Sequence, residues 1–244
     1  MNKHVESDLM LKALIFDVDG TLADTESAHL AAFNHAFTEQ GLDWHWDEAL
    51  YTQLLEISGG KERMLHYWKH VHPEMKDIDG SGLKDTIDHL HALKTAAYEA
   101  AVQGGAVHLR PGVLDIIHGA HQQGLRLAIA TTTSPVNIAV LLRNAIGLDW
   151  KELFLVIEDA STAPKKKPHP QVYTQTLARL GLAADNCLAI EDSSNGLRSA
   201  MAAGLKTIIT QNRFTAHHDF SGALQVLPDL GGVSVEQLRT WHQK

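Results

Sequence analysis

An α/β fold, a doubly wound Rossmann-like parallel sheet carrying an inserted α-helical cap domain, is predicted for this chain by three observations. From about residue 110 onward, short apolar runs alternate with segments of helical period. The apolar runs are continuous, the pattern of strands buried on both faces. Several of them stop abruptly at acids or hydroxyls, as strands do where an open sheet presents its ligand-binding edge.

The first strand is set by Leu14, Ile15 and Phe16, and it stops at Asp17. Val18, Asp19, Gly20 and Thr21 then turn the chain. Leu30, Phe33, Phe37 and Leu42 recur at helical intervals, with Gly41 marking the end of that helix. Further helices are predicted over 48–57, 61–70 and 83–103, punctuated by Gly59-Gly60, Pro73 and residues 80–82. RPGV at 110–113 is expected to open the next helix, with Pro111 at a permitted early position. Strands over 125–131, 154–157, 188–190, 205–210 and 225–227 then interleave with helices over 135–146, 170–180 and 196–203. The expected layout is a discontinuous α/β core, residues 11–26 and 107–244, split by a helical insert over 27–106, with residues 1–10 as a flexible polar tail.

The 244 residues suffice for one large or two small domains, and an apolar fraction of 44% supports a full core. A formal charge of −8 argues against a nucleic-acid partner, which requires a basic face. No apolar run approaches the length of a membrane span. The single cysteine, Cys187, excludes an internal disulfide and opens the apolar run CLAI, so it reads as a buried structural thiol. A cytoplasmic monomer is the expectation. His66 and His70 share a helical face, but no neighbouring pattern completes a zinc site.

Four strand ends, or the loops after them, carry complementary polar groups. The first presents Asp17 and Asp19; the second ends in Thr131, Thr132 and Thr133; the loop after the third carries Lys165, Lys166 and Lys167; the fourth ends in Glu191 and Asp192. Two close carboxylates repel unless a cation or a shared proton lies between them. A dianionic phosphate ester repels an incoming carboxylate, so Mg²⁺ and a lysine must neutralise charge before attack. Mg²⁺ favours hard oxygen ligands, which suits Asp17, the Asp19 carbonyl, Asp192 and Glu191. The set therefore points to phosphoryl transfer with an aspartate as nucleophile. Taken singly, each of these residues is an ordinary cap or turn; the conjunction carries the argument.

This constellation resembles the haloacid dehalogenase superfamily over essentially the whole chain after the tail. Its DxDGT motif matches residues 17–21, its strand ending in Ser or Thr matches LAIATTTS, its lysine before Pro-x-Pro matches Lys167-Pro168-His169-Pro170, and its acidic strand end matches IEDSSNG. The acid usual after the second proline is Gln171 here. The resemblance implies Asp17 as nucleophile and Asp19 as the acid/base that protonates the leaving group and then activates water. It further implies Thr131, Thr132 and Lys167 as phosphate-binding groups, and Asp17, Asp19, Glu191 and Asp192 as the Mg²⁺ site.

The helical insert resembles that of the CbbY-type sugar-phosphate phosphatases and the related β-phosphoglucomutases, on Asp24, Thr25, Glu26 and His29 and on GGKERM over 59–64. Lys94, Tyr98 and LRPG over 109–112 extend the likeness. By that resemblance Thr25, Glu26, His29, Gly59, Gly60, Lys61, Arg63 and Lys94 meet the substrate, a small phosphorylated sugar. GGK lacks a preceding strand and has Glu62 where a nucleotide-binding loop needs Ser or Thr, so that motif is rejected. The implied reaction is hydrolysis of xylulose-1,5-bisphosphate to xylulose 5-phosphate. The alternatives are a β-phosphoglucomutase, a phosphoglycolate phosphatase and, outside enzymes, a phospho-acceptor signalling module.

Overall fold

The computed structural model describes residues 10–72 and 81–244. Residues 1–9 of the tail expected over 1–10, and the punctuation expected at Pro73 and Gly80, lie outside the described residues. The chain divides into two compact units, one of Thr25–Val107 and one made of the segments on either side of it.

The second unit is organised on six parallel strands: β1 (Ala13–Phe16), β2 (Arg126–Ala130), β3 (Val156–Glu158), β4 (Cys187–Glu191), β5 (Lys206–Thr210) and β6 (Gln225–Leu227). Their order across the sheet is β3-β2-β1-β4-β5-β6. The reversal of direction at β1 is the doubly wound topology that the strand–helix alternation predicts. Every residue of β1 and β4 is buried, because helices cover both sheet faces. Ala13 to Phe16 pair in register with Arg126 to Ile129 on one side and Cys187 to Ile190 on the other. The residues that follow β1, β2 and β4 consequently emerge side by side on one edge.

The connecting helices are α5 (Val113–Gln122), α6 (Pro135–Ala145), α7 (Trp150–Leu153), α8 (Gln171–Leu180), α9 (Ser194–Ala202) and α10 (Val235–His242). Local chemistry starts several of them. Ser134 and Ser193 accept hydrogen bonds from Asn137 N and Gly196 N, satisfying amides that a helix N terminus leaves free. Under β1, β2 and β4, Ala13, Ile15, Ala128, Ala130 and Ala189 pack with Val172, Tyr173 and Leu180 of α8.

Two expectations need correction here, and one element was missed. Pro111 and Gly112 precede α5 instead of lying in it: Gly112 is the cap residue, with φ +77°, and an added Cβ would collide with the backbone of Leu230. β3 begins at Val156, because residues 150–153 form the one-turn α7 and Phe154 closes it. Helix α10 was not anticipated, although Ser234 and Gln237 form a reciprocal capping box at its start.

The first unit holds α1 (Glu26–Glu39), α2 (Glu48–Leu54), α3 (Gly60–Val71) and α4 (Ser81–Gln103). Its core is aromatic. Phe33, Phe37, Trp46 and Tyr51 are buried, with neighbouring ring centroids 4.8–6.3 Å apart. Asn34 fixes the approach of the 44–46 loop by exchanging two 2.8 Å hydrogen bonds with the backbone of Trp46. No described helix is long and apolar enough to cross a membrane.

Candidate active site

The carboxyl edge of the sheet gathers the residues singled out in the sequence. Asp17 follows β1 and its amide donates to Ile190 O, which ties the first turn to β4. Lys167 arrives from the loop after β3, through a cis Lys167–Pro168 bond. Its ammonium is buried and donates to Asp17 Oδ1 (2.6 Å), Glu191 Oε1 (2.5 Å) and Ala130 O (2.9 Å). A lysine ammonium has three N–H groups, and all three have a partner here. Carboxylate oxygens of Asp17, Glu191 and Asp192 lie within 4.8 Å of one another. Three hard oxygen donors at that spacing fit Mg²⁺, whereas a soft or borderline metal would call for His or Cys.

Electrostatics follow from burial. Desolvation pushes the Asp17 carboxyl up to about 7, opposed by Lys167 and reinforced by Glu191 and Asp19. Burial acts in the opposite sense on Lys167, but Asp17 and Glu191 outweigh it and hold the ammonium above the ordinary lysine range. Cys187, inside β4, is driven up to about 12 by burial and stays an inert thiol.

Thr131 is buried at the end of β2; its amide donates to Glu158 O and its hydroxyl accepts from Thr133 N. Thr132 is partly exposed beside it. Asp19 sits in the turn after β1, partly exposed and bridged to Ala23. Asp192 accepts from Asn212 Nδ2 at 2.8 Å. Lys165 is exposed, and its amide donates to Gln171 Oε1 at 2.8 Å.

Three residues of this edge escaped the sequence reading as site components. Tyr173 of α8 donates its phenol hydroxyl to Glu191 Oε1 at 2.5 Å. Burial raises this phenol well above its ordinary range, so it stays protonated and donates. Asn212 touches Asp192, and its side chain also reaches Gly20 O at 3.4 Å. Arg110, noted only within LRPG, is buried and donates to Gly20 O (2.5 Å), Thr210 O (2.6 Å), Gln211 O (2.8 Å) and Pro228 O (2.6 Å), with Nε 3.4 Å from Asp24. It staples the turn carrying Asp19 to the ends of β5 and β6. Nearby, Asp24 N donates to His108 O and Arg110 N to Leu22 O, so the two strands that bracket the helical unit are paired.

In the helical unit the expected substrate residues are spread over several places. Lys94 Nζ lies 2.8 Å from His29 Nδ1, both buried, with the His29 ring stacked on Tyr98 at 4.1 Å. Tyr51 OH donates to Glu26 at 2.6 Å. Arg63 turns inward: its guanidinium donates to Leu54 O (3.0 Å), Ile57 O (3.1 Å) and Tyr51 OH (3.4 Å), tying the last residue of α2 to the turn that follows it. α2 stops at Leu54, short of the expected residue 57, and beyond it the amides of Glu56 and Ile57 bond three residues back, to Gln53 O and Leu54 O. Lys61 is exposed and ion-paired with Asp88 at 2.6 Å. Gly59 caps α3 at φ +100°, a conformation that favours glycine, and Gly60 begins that helix. Thr25 is buried just before α1.

Known proteins resemble this chain in sequence and fold. The family described as haloacid dehalogenase-like hydrolase matches residues 14–210. The plasmid-encoded protein CbbY of Cupriavidus necator is 57% identical over 221 residues, covering 91% of this chain and 86% of that protein. The crystal structure of CbbY from Rhodobacter sphaeroides in complex with phosphate superposes with TM-score 0.84 at 38% identity, covering 94% of this chain and 99% of that one. A mutant of the same protein, solved in complex with xylulose-(1,5)bisphosphate, also gives 0.84, at 37% identity and the same coverage. A β-phosphoglucomutase from Clostridium difficile shares the fold, with TM-score 0.76 at 21% identity over 96% of this chain and 98% of its own.

Proposed function

Because the chain belongs to the haloacid dehalogenase-like hydrolases, and within them to the CbbY group, it is a sugar-phosphate phosphatase, and we propose that it converts xylulose-1,5-bisphosphate to xylulose 5-phosphate. The observation that carries the chemistry is the buried Asp17–Lys167–Glu191 array with Asp192 beside it at the carboxyl edge of the sheet. Two observations support this substrate: the relative from R. sphaeroides has been solved with the bisphosphate, and Lys61 places a cation at the start of α3.

In the proposed mechanism the substrate phosphate replaces Asp17 on Lys167. That exchange frees the Asp17 oxygen to attack phosphorus while the ammonium keeps its hold on Glu191 and Ala130 O. The Thr131 hydroxyl and the amides around Thr132 take the remaining phosphoryl oxygens. Asp19 gives a proton to the departing sugar oxygen as the P–O ester bond breaks, leaving an aspartyl-phosphate on Asp17. It then takes a proton from water, which attacks phosphorus and returns Asp17 as a carboxylate. Asp17, Asp192 and the Asp19 carbonyl would hold Mg²⁺, with Glu191 behind them. Bound there, the ion supplies charge neutralisation for two anions brought into contact and favours the ionised form of Asp17.

In the helical unit, Gly59, Gly60 and Lys61 are assigned to the distal phosphate, since a helix N terminus and an ammonium both attract anions. Glu26, Thr25, His29 and Lys94 are assigned to the sugar. Arg63 is assigned to the framework beneath them, on its hydrogen bonds to Leu54 O and Ile57 O.

The test is a panel of sugar mono- and bisphosphates assayed for phosphate release with Mg²⁺. The expected result is a kcat/KM for xylulose-1,5-bisphosphate at least tenfold above that for every monophosphate tested. Equal or better turnover of phosphoglycolate would overturn the substrate assignment, and isomerisation of β-glucose 1-phosphate without phosphate release would overturn hydrolysis.

A further inference from the structure

Tyr173 lies in the first turn of α8, fully buried, at a position that packing alone would explain. Its hydroxyl nevertheless reaches out of the core cluster to Glu191 Oε1, the same oxygen that receives Lys167 Nζ. The ammonium also stands 5.2 Å from the centroid of the Tyr173 ring. On the far side Glu191 is closed in by Gly196, where even a methyl group would overlap the carboxylate, and Asp192 N approaches Oε2 at 3.3 Å. Glu191 is thus gripped from two directions.

This geometry matters because of how Lys167 is shared. With its three N–H groups on Asp17, Glu191 and Ala130 O, the ammonium can meet a phosphoryl oxygen only by releasing one partner. Releasing Asp17 is productive, since it frees the nucleophile. Releasing Glu191 leaves Asp17 still engaged and the phosphate poorly placed. The choice depends on Glu191 staying fixed, and the Tyr173 hydroxyl on Oε1, the Asp192 amide near Oε2 and the close approach of Gly196 hold it.

We infer that Tyr173 is a positioning residue for phosphoryl transfer, holding Glu191 so that Lys167 exchanges Asp17, and not Glu191, for the incoming phosphate. The inference rests on the phosphatase mechanism proposed above. Tyr173 touches neither substrate nor phosphorus; it acts through Glu191 and Lys167. Its loss should be felt where Lys167 bears most charge, at the pentacoordinate phosphoryl group, more than in the encounter with substrate.

The experiment compares Tyr173→Phe and Tyr173→Leu with the parent enzyme in steady-state hydrolysis and in calorimetric titration with orthovanadate, a mimic of the pentacoordinate phosphoryl group, in Mg²⁺ buffer. Tyr173→Phe keeps the ring, its packing and its contact with the ammonium, and removes only the hydroxyl. The expected result is a kcat about tenfold lower with KM within twofold, and orthovanadate affinity about tenfold weaker, at unchanged circular dichroism. Tyr173→Leu should show at least the same loss. If the residue served packing alone, Tyr173→Phe would match the parent in kcat and in orthovanadate affinity, and only Tyr173→Leu would suffer; that pattern overturns the inference. A Tyr173→Phe variant whose KM rises as much as its kcat falls also overturns it. A parent enzyme that releases no phosphate from any monoester instead removes the underlying mechanism, so the two failures are distinct.

Discussion

Gly196→Ala offers a severe test of the packing behind the carboxylate edge, because two well-known effects oppose each other there. Gly196 lies within α9, and alanine at a helix-interior site ordinarily stabilises by about 1 kcal/mol over glycine. Here the added Cβ would stand under 3.0 Å from both oxygens and Cδ of Glu191. The carboxylate must then shift by roughly an ångström to restore ordinary van der Waals separation. Such a shift weakens both 2.5 Å bonds that converge on Oε1, from Lys167 and Tyr173. A hydrogen bond to a charged group contributes about 1.5–3 kcal/mol, so damage to two of them costs about 3–5 kcal/mol. Subtracting the helix gain leaves a net destabilisation of about 2–4 kcal/mol. For a chain of this size that corresponds to a midpoint lower by roughly 5–15 °C. Differential scanning calorimetry gives the midpoint, and phosphate release gives the accompanying fall in kcat. A Gly196→Ala protein at least as stable as the parent, with the parent's kcat, would refute the close packing of Glu191 against α9.

Other variants test separate parts of the argument. Asp17→Asn should lower turnover by roughly a thousandfold or more and abolish trapping of aspartyl-phosphate, checked by acid quench with labelled substrate; substantial residual turnover in pure protein would remove Asp17 as nucleophile. Arg63→Ala leaves Ile57 O without its donor, worth about 1–3 kcal/mol, while Leu54 O keeps its bond from Ile57 N; the helical unit should lose about 1–3 kcal/mol in urea titration. Lys61→Ala, in contrast, should raise KM for bisphosphates without that loss of stability. Burial, and then Lys206, holds His242 below its ordinary value of 6.5. The unfolded chain therefore binds the proton first, and His242 costs stability as pH falls below about 6.5. The thermal midpoint should drop faster on acidification in the parent than in His242→Gln, and parallel curves would contradict this.

The strands and their polar ends were legible for a physical reason. A strand buried on both faces must be apolar throughout, so the arrival of Asp17, Thr131 or Glu191 marks its end. The short terminal elements carried weaker signals. Helix α10 spans only two turns and its capping box passed unnoticed, while α7 is a single turn within an apolar stretch. Tyr173 could not be distinguished from a packing aromatic, since its spacing with Val172, Thr176 and Leu180 is that of a core face and its target lies 18 residues ahead. Arg63 reads from sequence as an available cation. Only the end of α2 shows which carbonyls claim it, and that is a matter of tertiary placement.

The pairing of the strands that bracket the helical unit has a further consequence. Residues 22–24 and 108–110 run antiparallel, joined by the Ala23–Leu109 bridge and by the bond from Asp24 N to His108 O, and Arg110 rivets them to the sheet. Everything between them is, to the sheet unit, one large loop whose ends are already closed. The entropy of such a loop grows only logarithmically with length, by about 0.6 kcal/mol per doubling. Lengthening, shortening or exchanging the insert therefore asks little of the edge that holds Asp17 and Lys167. The insert can be rebuilt in length and sequence while the register of the sheet edge beneath it stays as it is.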